Sequence, residues 1–540
     1  MPGDTRDVLN QTPSFGDVNL FSADAPLRGA LAAFGASTDA DGLAEFGARW
    51  GAAERLDLGR LANAHPPILR THDASGRRAD RIEFHPAYHA LMAASVTDGL
   101  HASIWDGADP SRPRARGHLA RAARHYIVAG VESGHLCPMT MTSAAVAALV
   151  PAPDHLAAWL PRIASRSYDP SFRPWYEKAG VTLGMGMTEK QGGTDVRANT
   201  TRAEPTGGGT YALTGHKWFF SAPMSDGFLV LAQAPGGLTC LLVPRHRPDG
   251  TVNALHLQRL KDKLGNRSNA SSEVEFDRAF GWRIGEEGRG VPTILAMVQL
   301  TRLDCAVASA GLCRMALVLA LHHARHRHVF QKPLVDQPAM RRVLADLALE
   351  SEAQTALACR LAAAFDRSET ARTRFLTPAV KYAVCKAAPG FVYEAMEALG
   401  GNGYVEESPL PRLYREAPVN AIWEGSGTVM ALDVLRAASR APEEVVGLVA
   451  ELAEEAEGLP GVREAEADIV AALQAPDAEA RARFATGRLA ALAAAASLAT
   501  CAPPAIAEAY AATRLARERA LYGANGIGAV TEVALGRALG

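Results

Sequence analysis

MTEKQGGTDV, residues Met187–Val196, is the stretch on which the reading of this chain turns. The glycine pair Gly192-Gly193 lets the backbone bend tightly and point its N–H groups outward. Thr188 and Thr194 add hydroxyl donors. Such a loop suits the edge of a planar ring and a pyrophosphate, although a glycine pair alone reads as an ordinary β-turn. Two further segments stand with it: GHKWFF at Gly215–Phe220 and WEGSG at Trp423–Gly427. The last offers one carboxylate, Glu424, between a large aromatic and a glycine-rich turn.

Around the first two segments, short runs of β-branched, aromatic or alternating apolar residues (Tyr211–Leu213, Phe228–Gln233, Leu238–Pro244, Ser272–Phe276) are separated by Gly-rich turns. That pattern predicts a small antiparallel β domain over 181–285. Residues 1–180 read as an irregular start followed by helices, with apolar residues at helical spacing in Phe46–Leu61 and His118–Glu132. From 286 to 440 long amphipathic helices return, Thr293–Arg325 and Met340–Phe365 among them, and 441–540 is alanine-rich helix. The expected fold class is therefore mainly α with an inserted antiparallel β domain.

A chain of 540 residues buries a large core and divides into several domains. With a net charge of −2 it has no global basic field for nucleic acid or anionic lipid. Seven scattered cysteines, odd in number and without close pairs, argue against a disulfide framework or a zinc cluster and for a reducing cytoplasm. The start MPGDTRDVLNQ lacks an apolar run after a basic one, so no secretory signal is expected. The apolar stretch Leu489–Ala507 is broken by Pro503-Pro504 and reads as a buried helix rather than a membrane span.

In order and spacing the three segments resemble the acyl-CoA dehydrogenase flavoprotein family. The resemblance covers nearly the whole chain and is strongest to the family's alkylation-response branch, through NQTPSFGDVNLFSAD (Asn10–Asp24), GRLANAHPP (Gly59–Pro67) and CPMTMT (Cys137–Thr142). It implies an acyl-CoA dehydrogenase-like architecture: helical domain, β-barrel-like domain, four-helix-bundle domain and an extra C-terminal helical extension. It also implies FAD, held by Met185, Met187, Thr188, Gly193 and Thr194, with Phe219 at the position of the family's ring-covering Trp, then Phe220 and Ser221. Lys190-Gln191-Gly192 replaces the usual Pro-Gly-Ala.

HHARHRHVFQKPLVDQ, His322–Gln337, invites other guesses first. His322 and His326 lie one helical turn apart, but no carboxylate joins them and no metal site is expected. The basic run is also short for a nucleic-acid patch. The resemblance assigns Arg327, Phe330 and Gln337 to the FAD of a neighbouring subunit, with Gln331 where a Gly is usual, which implies a homo-oligomer, dimer or tetramer. EALGGNGY adds Gly400 and Gly401 beside phosphate or adenosine, and Glu397 where Gln is common. Ile422, Trp423, Gly425, Ser426 and Thr428 complete the implied cofactor set around Glu424.

Glu424 takes the place of the family's catalytic glutamate. The reaction needs a base for the proton α to a thioester while hydride leaves the β-carbon, and a carboxylate in an apolar pocket is such a base. Trp423 replaces the usual Tyr. In KDKLGNRSNASS, Lys263, Arg267 and Ser268 are candidate substrate-side groups or parts of a solvated loop.

The resemblance also brings a rival reading: a flavin-bearing protein that binds or shields DNA, with a vestigial dehydrogenase site and a basic C-terminal face. From Ala441 to Gly540 the chain has eight Arg and no Lys against fourteen Asp or Glu, a net charge of −6. DNA affinity needs cations. Duplex binding is therefore expected only if clusters such as Arg481/Arg483/Arg488 or Arg514/Arg517/Arg519 sort onto one face. Acyl-CoA oxidation is the leading expectation.

Overall fold

The structure, a computed structural model, describes residues 7–35, 40–109, 115–517 and 530–539; Arg519 lies outside them. The chain forms two compact units. One comprises Met1–Leu56, Ala122–Val131 and Cys305–Gly540, the other Asp57–Arg121 and Glu132–Asp304.

The second unit is built on a sheet of seven strands: β3 (Leu183–Thr188), β4 (Arg202–Gly207), β5 (Thr210–Ser221), β6 (Gly227–Ala234), β7 (Gly237–Pro244), β8 (Leu255–Leu260) and β9 (Ser271–Ile284). β5 pairs with β3 and β9, β9 with β7, β7 with β6, and β6 returns parallel to β3. That ring of five strands closes on itself and leaves few unpaired edges. Alternate residues of these strands point inward and fill the ring: Tyr211, Leu213, Phe220, Phe228, Val230, Leu241, Val243, Val274 and Phe276 are all buried there.

A hairpin not anticipated from the sequence precedes the sheet, β1 (Ile68–His72) with β2 (Arg78–Glu83). Its turn is stapled by the Asp73 carboxylate, which accepts from the Ser75 and Arg77 amides at 2.8 and 2.9 Å. Leu69 and Ile82 pack against the strand-ring core, a tertiary contact that helix-spaced counting over 1–180 misses.

The first unit is helical. Within it Pro338–Asp366, Thr370–Glu397 and Gly427–Arg440 all pack against Ala478–Cys501. The alanines of that last helix present little bulk, so its neighbours approach closely. The predicted Leu489–Ala507 helix breaks at Ala502-Pro503, and a new helix starts at Pro504. Ala478–Cys501 and Gly290–His326 are long and apolar enough to cross a membrane, and both are largely buried in the protein. The predicted Phe46–Leu61 helix is also two, Ala40–Trp50 and Ala53–Ala64. At the break, a Cβ on Gly51 would lie 1.8 Å from the Val18 carbonyl oxygen.

Candidate functional site

The loop that opens the sequence reading hangs from the end of β3. Its anchor is a residue the sequence did not single out. Glu189 is fully buried and accepts from the Thr200 amide (2.6 Å), the Thr200 hydroxyl (2.9 Å), the Thr201 amide (3.1 Å) and Lys217 Nζ (2.8 Å). Burial pushes the Glu189 carboxyl up, but the Lys217 ammonium and these donors outweigh it and hold it at about 2. Burial likewise pushes Lys217 down, to about 8, against the pull of Glu189. Lys217 also donates to the Leu231 carbonyl at 2.7 Å, so one side chain ties the loop, β5 and β6. A lysine in phase with the inward Tyr211 and Leu213 of β5 was the available signal.

From that anchor the loop is presented outward. Asn199 donates to the Met187 carbonyl at 2.9 Å. Gly193 and Thr194 are exposed, and Gly192 has φ of +127° with open space where a side chain would be. A Cβ on Gly193 would meet the Thr188 hydroxyl at 2.5 Å, so Gly is required there. Met185 is buried in β3, opposite Ser221 in register. A register shift between β3 and β5 separates Gly186↔Phe220 from Thr188↔Phe219. Adjacent in β5, the two aromatics face opposite sides of the strand. Phe219 is 48% exposed, whereas the Phe220 ring is fully buried, 4.4 Å from the Phe228 ring centre. Any part Phe220 plays in holding a ligand therefore falls to its backbone. Lys261 Nζ sits 3.3 Å from the Trp218 ring centre and 4.8 Å from that of Phe219.

In the Lys261–Ser272 loop Lys263 and Ser268 turn inward, whereas Arg267 is exposed. Lys263 Nζ donates to the Asn269 carbonyl at 2.7 Å and folds the loop on itself. Ser268 donates to Glu132 at 2.8 Å. Glu132, another residue the sequence reading passed over, also accepts from Asn63 (2.9 Å), the Gly134 amide (2.9 Å), the His135 amide (2.9 Å) and His135 Nδ1 (2.7 Å). Its carboxyl is held at about 2, burial being overcome by His135 and Asn63. His135 Nε2 meets Ser95 Oγ at 2.8 Å. Serine, histidine and carboxylate stand as a nucleophile relay would, but all three are buried, so the cluster binds segments together instead. It joins the Gly59–Pro67 segment through Asn63, the start of the Leu136–Leu149 helix and the Lys261–Ser272 loop.

In the helical unit, Glu424 sits on the bend between Val419–Ala421 and the Gly427–Arg440 helix. It is half-buried, with φ of +57°, and Gly425 follows at +100°. Lys381, buried in the Thr370–Glu397 helix, donates to the Trp423 carbonyl at 2.8 Å and the Gly425 carbonyl at 2.7 Å. Trp423 Nε1 donates to Asn420 at 2.8 Å, and Asn420 donates to Ser309 at 3.1 Å. Ile422, Ser426 and Thr428 are exposed around this bend. At the end of the Thr370–Glu397 helix, Glu397 is exposed, and its charge pushes up the Tyr393 hydroxyl one turn earlier. Gly400 has φ of +60°, and nothing lies within 4 Å of a Cβ placed on Gly400 or Gly401.

His322–Gln337 becomes the end of a helix and a two-residue hairpin, β10 (His328–Val329) with β11 (Lys332–Pro333). Phe330 and Gln331 form its turn with φ of +51° and +67°, the left-handed pair such a turn demands. Gln331 thus occupies a position glycine would fill without strain, and Phe330 is 89% exposed. Gln337 donates to the Val329 carbonyl at 2.7 Å. The N-terminal segment crosses here: Arg327 donates to the Asn10 carbonyl (2.6 Å), Asn10 to the His328 carbonyl (2.8 Å), and Thr12 meets His323 Nδ1 (2.8 Å).

In the C-terminal extension five arginines have carboxylate partners: Arg463 with Glu457, Arg481 with Asp477, Arg488 with Asp468, Arg514 with Asp346 and Glu350, and Arg537 with Glu352. Arg483 lies over the Tyr382 ring. All seven cysteines are free thiols.

Against known proteins, residues 10–170 match the adaptive response protein AidB N-terminal domain. Residues 184–279 match the acyl-CoA dehydrogenase middle domain, and 288–439 the acyl-CoA dehydrogenase C-terminal domain. The chain is 53% identical over 439 residues to AidB of Escherichia coli (strain K12), named as an acyl-CoA dehydrogenase, with 80% of each chain covered. Caenorhabditis elegans ACDH-11, solved in complex with C11-CoA, superposes with a TM-score of 0.84 at 27% identity, over 96% of this chain and 95% of that one. A Bacillus anthracis acyl-CoA dehydrogenase complexed with FAD shares the fold, with a TM-score of 0.64 at 17% identity over 84% and 81% of the two chains.

Proposed function

The chain belongs to the acyl-CoA dehydrogenase family, in its AidB-like branch, and from that premise we propose that it is an FAD-dependent oxidoreductase that desaturates an acyl thioester with Glu424 as base. The observation that carries the reading is Glu424 itself. It is a half-buried carboxylate on a left-handed bend, within the stretch that matches the acyl-CoA dehydrogenase C-terminal domain.

The residues present fit a flavin dinucleotide. Open glycine turns at Gly192-Gly193 and Gly400-Gly401 leave room for a backbone approach to phosphate. Exposed Thr194 adds a hydroxyl, and exposed Phe219 offers an apolar face to a ring. Met185, Met187, Thr188, Gly193, Thr194, Phe219 and Ser221 would hold the cofactor from the β domain, with Phe220 through its backbone. Within the helical unit the candidate cofactor residues are Gly400, Gly401, Ile422, Trp423, Gly425, Ser426 and Thr428, with Glu397 near the first two. Arg327, Phe330 and Gln337 would serve the cofactor of a second subunit in a homo-oligomer, dimer or tetramer; the exposed Phe330 turn supports that role. When bound, FAD accepts the hydride from the β-carbon. Glu424 takes the α-proton onto a carboxylate oxygen. Trp423, anchored by Asn420, covers the base on one side and limits water. A reducing cytoplasm suits the seven free thiols.

Anaerobic titration with short, branched and long acyl-CoAs tests this reading. The flavin absorption band should bleach with at least one of them, and Glu424→Gln should keep FAD yet lose the bleaching. Normal turnover by Glu424→Gln sinks the assignment. The rival reading, a DNA-protecting flavoprotein, has few unpaired cations in the extension to work with. Duplex affinity that falls steeply with salt would favour it.

A further inference from the structure

Glu424 and Gly425 are consecutive residues at positive φ, +57° and +100°. Glycine adopts that region freely, but a glutamate does so under strain, so its surroundings must hold it there. The two carbonyls that bracket the pair, Trp423 O before and Gly425 O after, converge on one atom, Lys381 Nζ, at 2.8 and 2.7 Å. Lys381 is 1% exposed and, among the described residues, has no carboxylate partner. Burying an ammonium is costly, and here nothing but two main-chain carbonyls compensates for it.

One helical turn on from Lys381, Cys385 receives a contact from Ser309 at 3.4 Å. Ser309 accepts from Asn420, and Asn420 accepts from Trp423 Nε1. Lys381 and Cys385 therefore grip the same loop from one face of one helix, the first by its backbone and the second through the Trp423 indole.

We infer that Lys381 is the positioning residue for Glu424: its ammonium fixes the peptide plane before the base and the plane after Gly425, and so the two left-handed residues between them and the direction in which the carboxylate leaves the backbone. This rests on the reading of Glu424 as the base. A general base works only within hydrogen-bond reach of the proton it removes, and a shift of about 1 Å costs on the order of 100-fold. No bond to Lys381 is made or broken in the reaction, and the α-proton still ends on Glu424.

The test uses an acyl-CoA whose β-carbon is replaced by sulfur. It cannot lose hydride, so exchange of its α-proton into D2O by the FAD-loaded protein reports the base alone. Lys381→Met should lower that exchange about 100-fold while the analogue's Kd and the FAD content stay unchanged. A crystal structure of the variant should show Glu424 out of the left-handed region. Lys381→Arg keeps a cation and donors in a different geometry, should fold, and should lose about tenfold; it decides the matter if Lys381→Met does not fold. Wild-type exchange in either folded variant overturns the inference, as does lost exchange with the Trp423–Gly425 backbone unmoved. A wild-type protein that neither exchanges nor bleaches would refute Glu424 as base, and the backbone of the variants would still decide what holds the bend.

Discussion

Two buried lysines, one in each unit, have opposite surroundings. Lys217 meets a carboxylate, Glu189, and one carbonyl, and both members of the pair are sealed inside the β domain. Lys381 meets two carbonyls and no carboxylate among the described residues. The first lysine closes a circuit of charge that ties two strands and a loop together. The second spends its donors on the backbone of a strained bend that carries a carboxylate. The same side chain at the same depth thus serves stability in one place and geometry in the other, and the partner decides which.

The largest effect should come from splitting the first pair. Glu189→Gln leaves a buried ammonium without its counter-charge and should cost about 3–5 kcal/mol in urea unfolding. The double variant Glu189→Leu with Lys217→Met should recover the part of that loss due to the unbalanced charge, but not the part due to the Thr200 and Thr201 donors and the Leu231 carbonyl that lose their partners. If the double variant is as damaged as the single, the Lys217 circuit does more than balance charge, and the contrast with Lys381 narrows. Lys381→Met should cost less stability, about 1–3 kcal/mol for carbonyls left unpaired, and much more in α-proton exchange. Equal losses of stability at both lysines would break the comparison.

Acid provides the next cut. Glu189 and Glu132 are both held at about 2, below the roughly 4.3 of a free glutamate. A carboxyl depressed on folding contributes stability that is whole above the unfolded value and is lost as pH falls towards the folded one. Between about pH 4.5 and 2, hydrogen exchange should therefore rise first around Glu189 and Glu132 and later around Lys381. Glu189→Gln should flatten part of that acid limb. Simultaneous loosening would show that the two carboxylates do not govern it.

The smallest effect sharpens the role of Lys381. Glu424→Gly removes the left-handed penalty of roughly 1–2 kcal/mol. It should restore about 1 kcal/mol to Lys381→Met and less to the wild type, where the strain is already offset. Equal gains in both backgrounds would mean that Lys381 does not hold the bend.

Much of the architecture was legible beforehand. Alternation in Phe228–Gln233 and Leu238–Pro244 marked strands, and helical spacing marked the long helices, because each periodicity is a local property of the chain. The bend that carries Glu424 was legible as a glycine-rich turn, whereas the role given to Glu424 came from the resemblance; the turn at Gly192-Gly193 was legible from the glycine pair. What escaped were long-range partners. Glu189 and Lys217 are 28 residues apart, Glu132 and Ser268 are 136 apart, and Lys381 is 44 from Gly425. The β1–β2 hairpin escaped for the same reason, since its apolar residues pack on a core formed much later in the chain. Arg327 and the histidines around it looked like a basic patch, yet the N-terminal segment at Asn10–Thr12 supplies partners for Arg327, His323 and His328.

By itself, then, the sequence marked most of the strands and long helices and the glycines that turn the backbone, since these follow from residues adjacent in the chain. Only the tertiary structure decided which aromatic of Phe219-Phe220 faces outward, because a register shift between β5 and β9 after Lys217 changes the phase of the strand there. It likewise decided that Glu189 is an anchor and that Lys381 meets the Trp423 and Gly425 carbonyls. A buried charge acquires its meaning from the partner that folding brings to it.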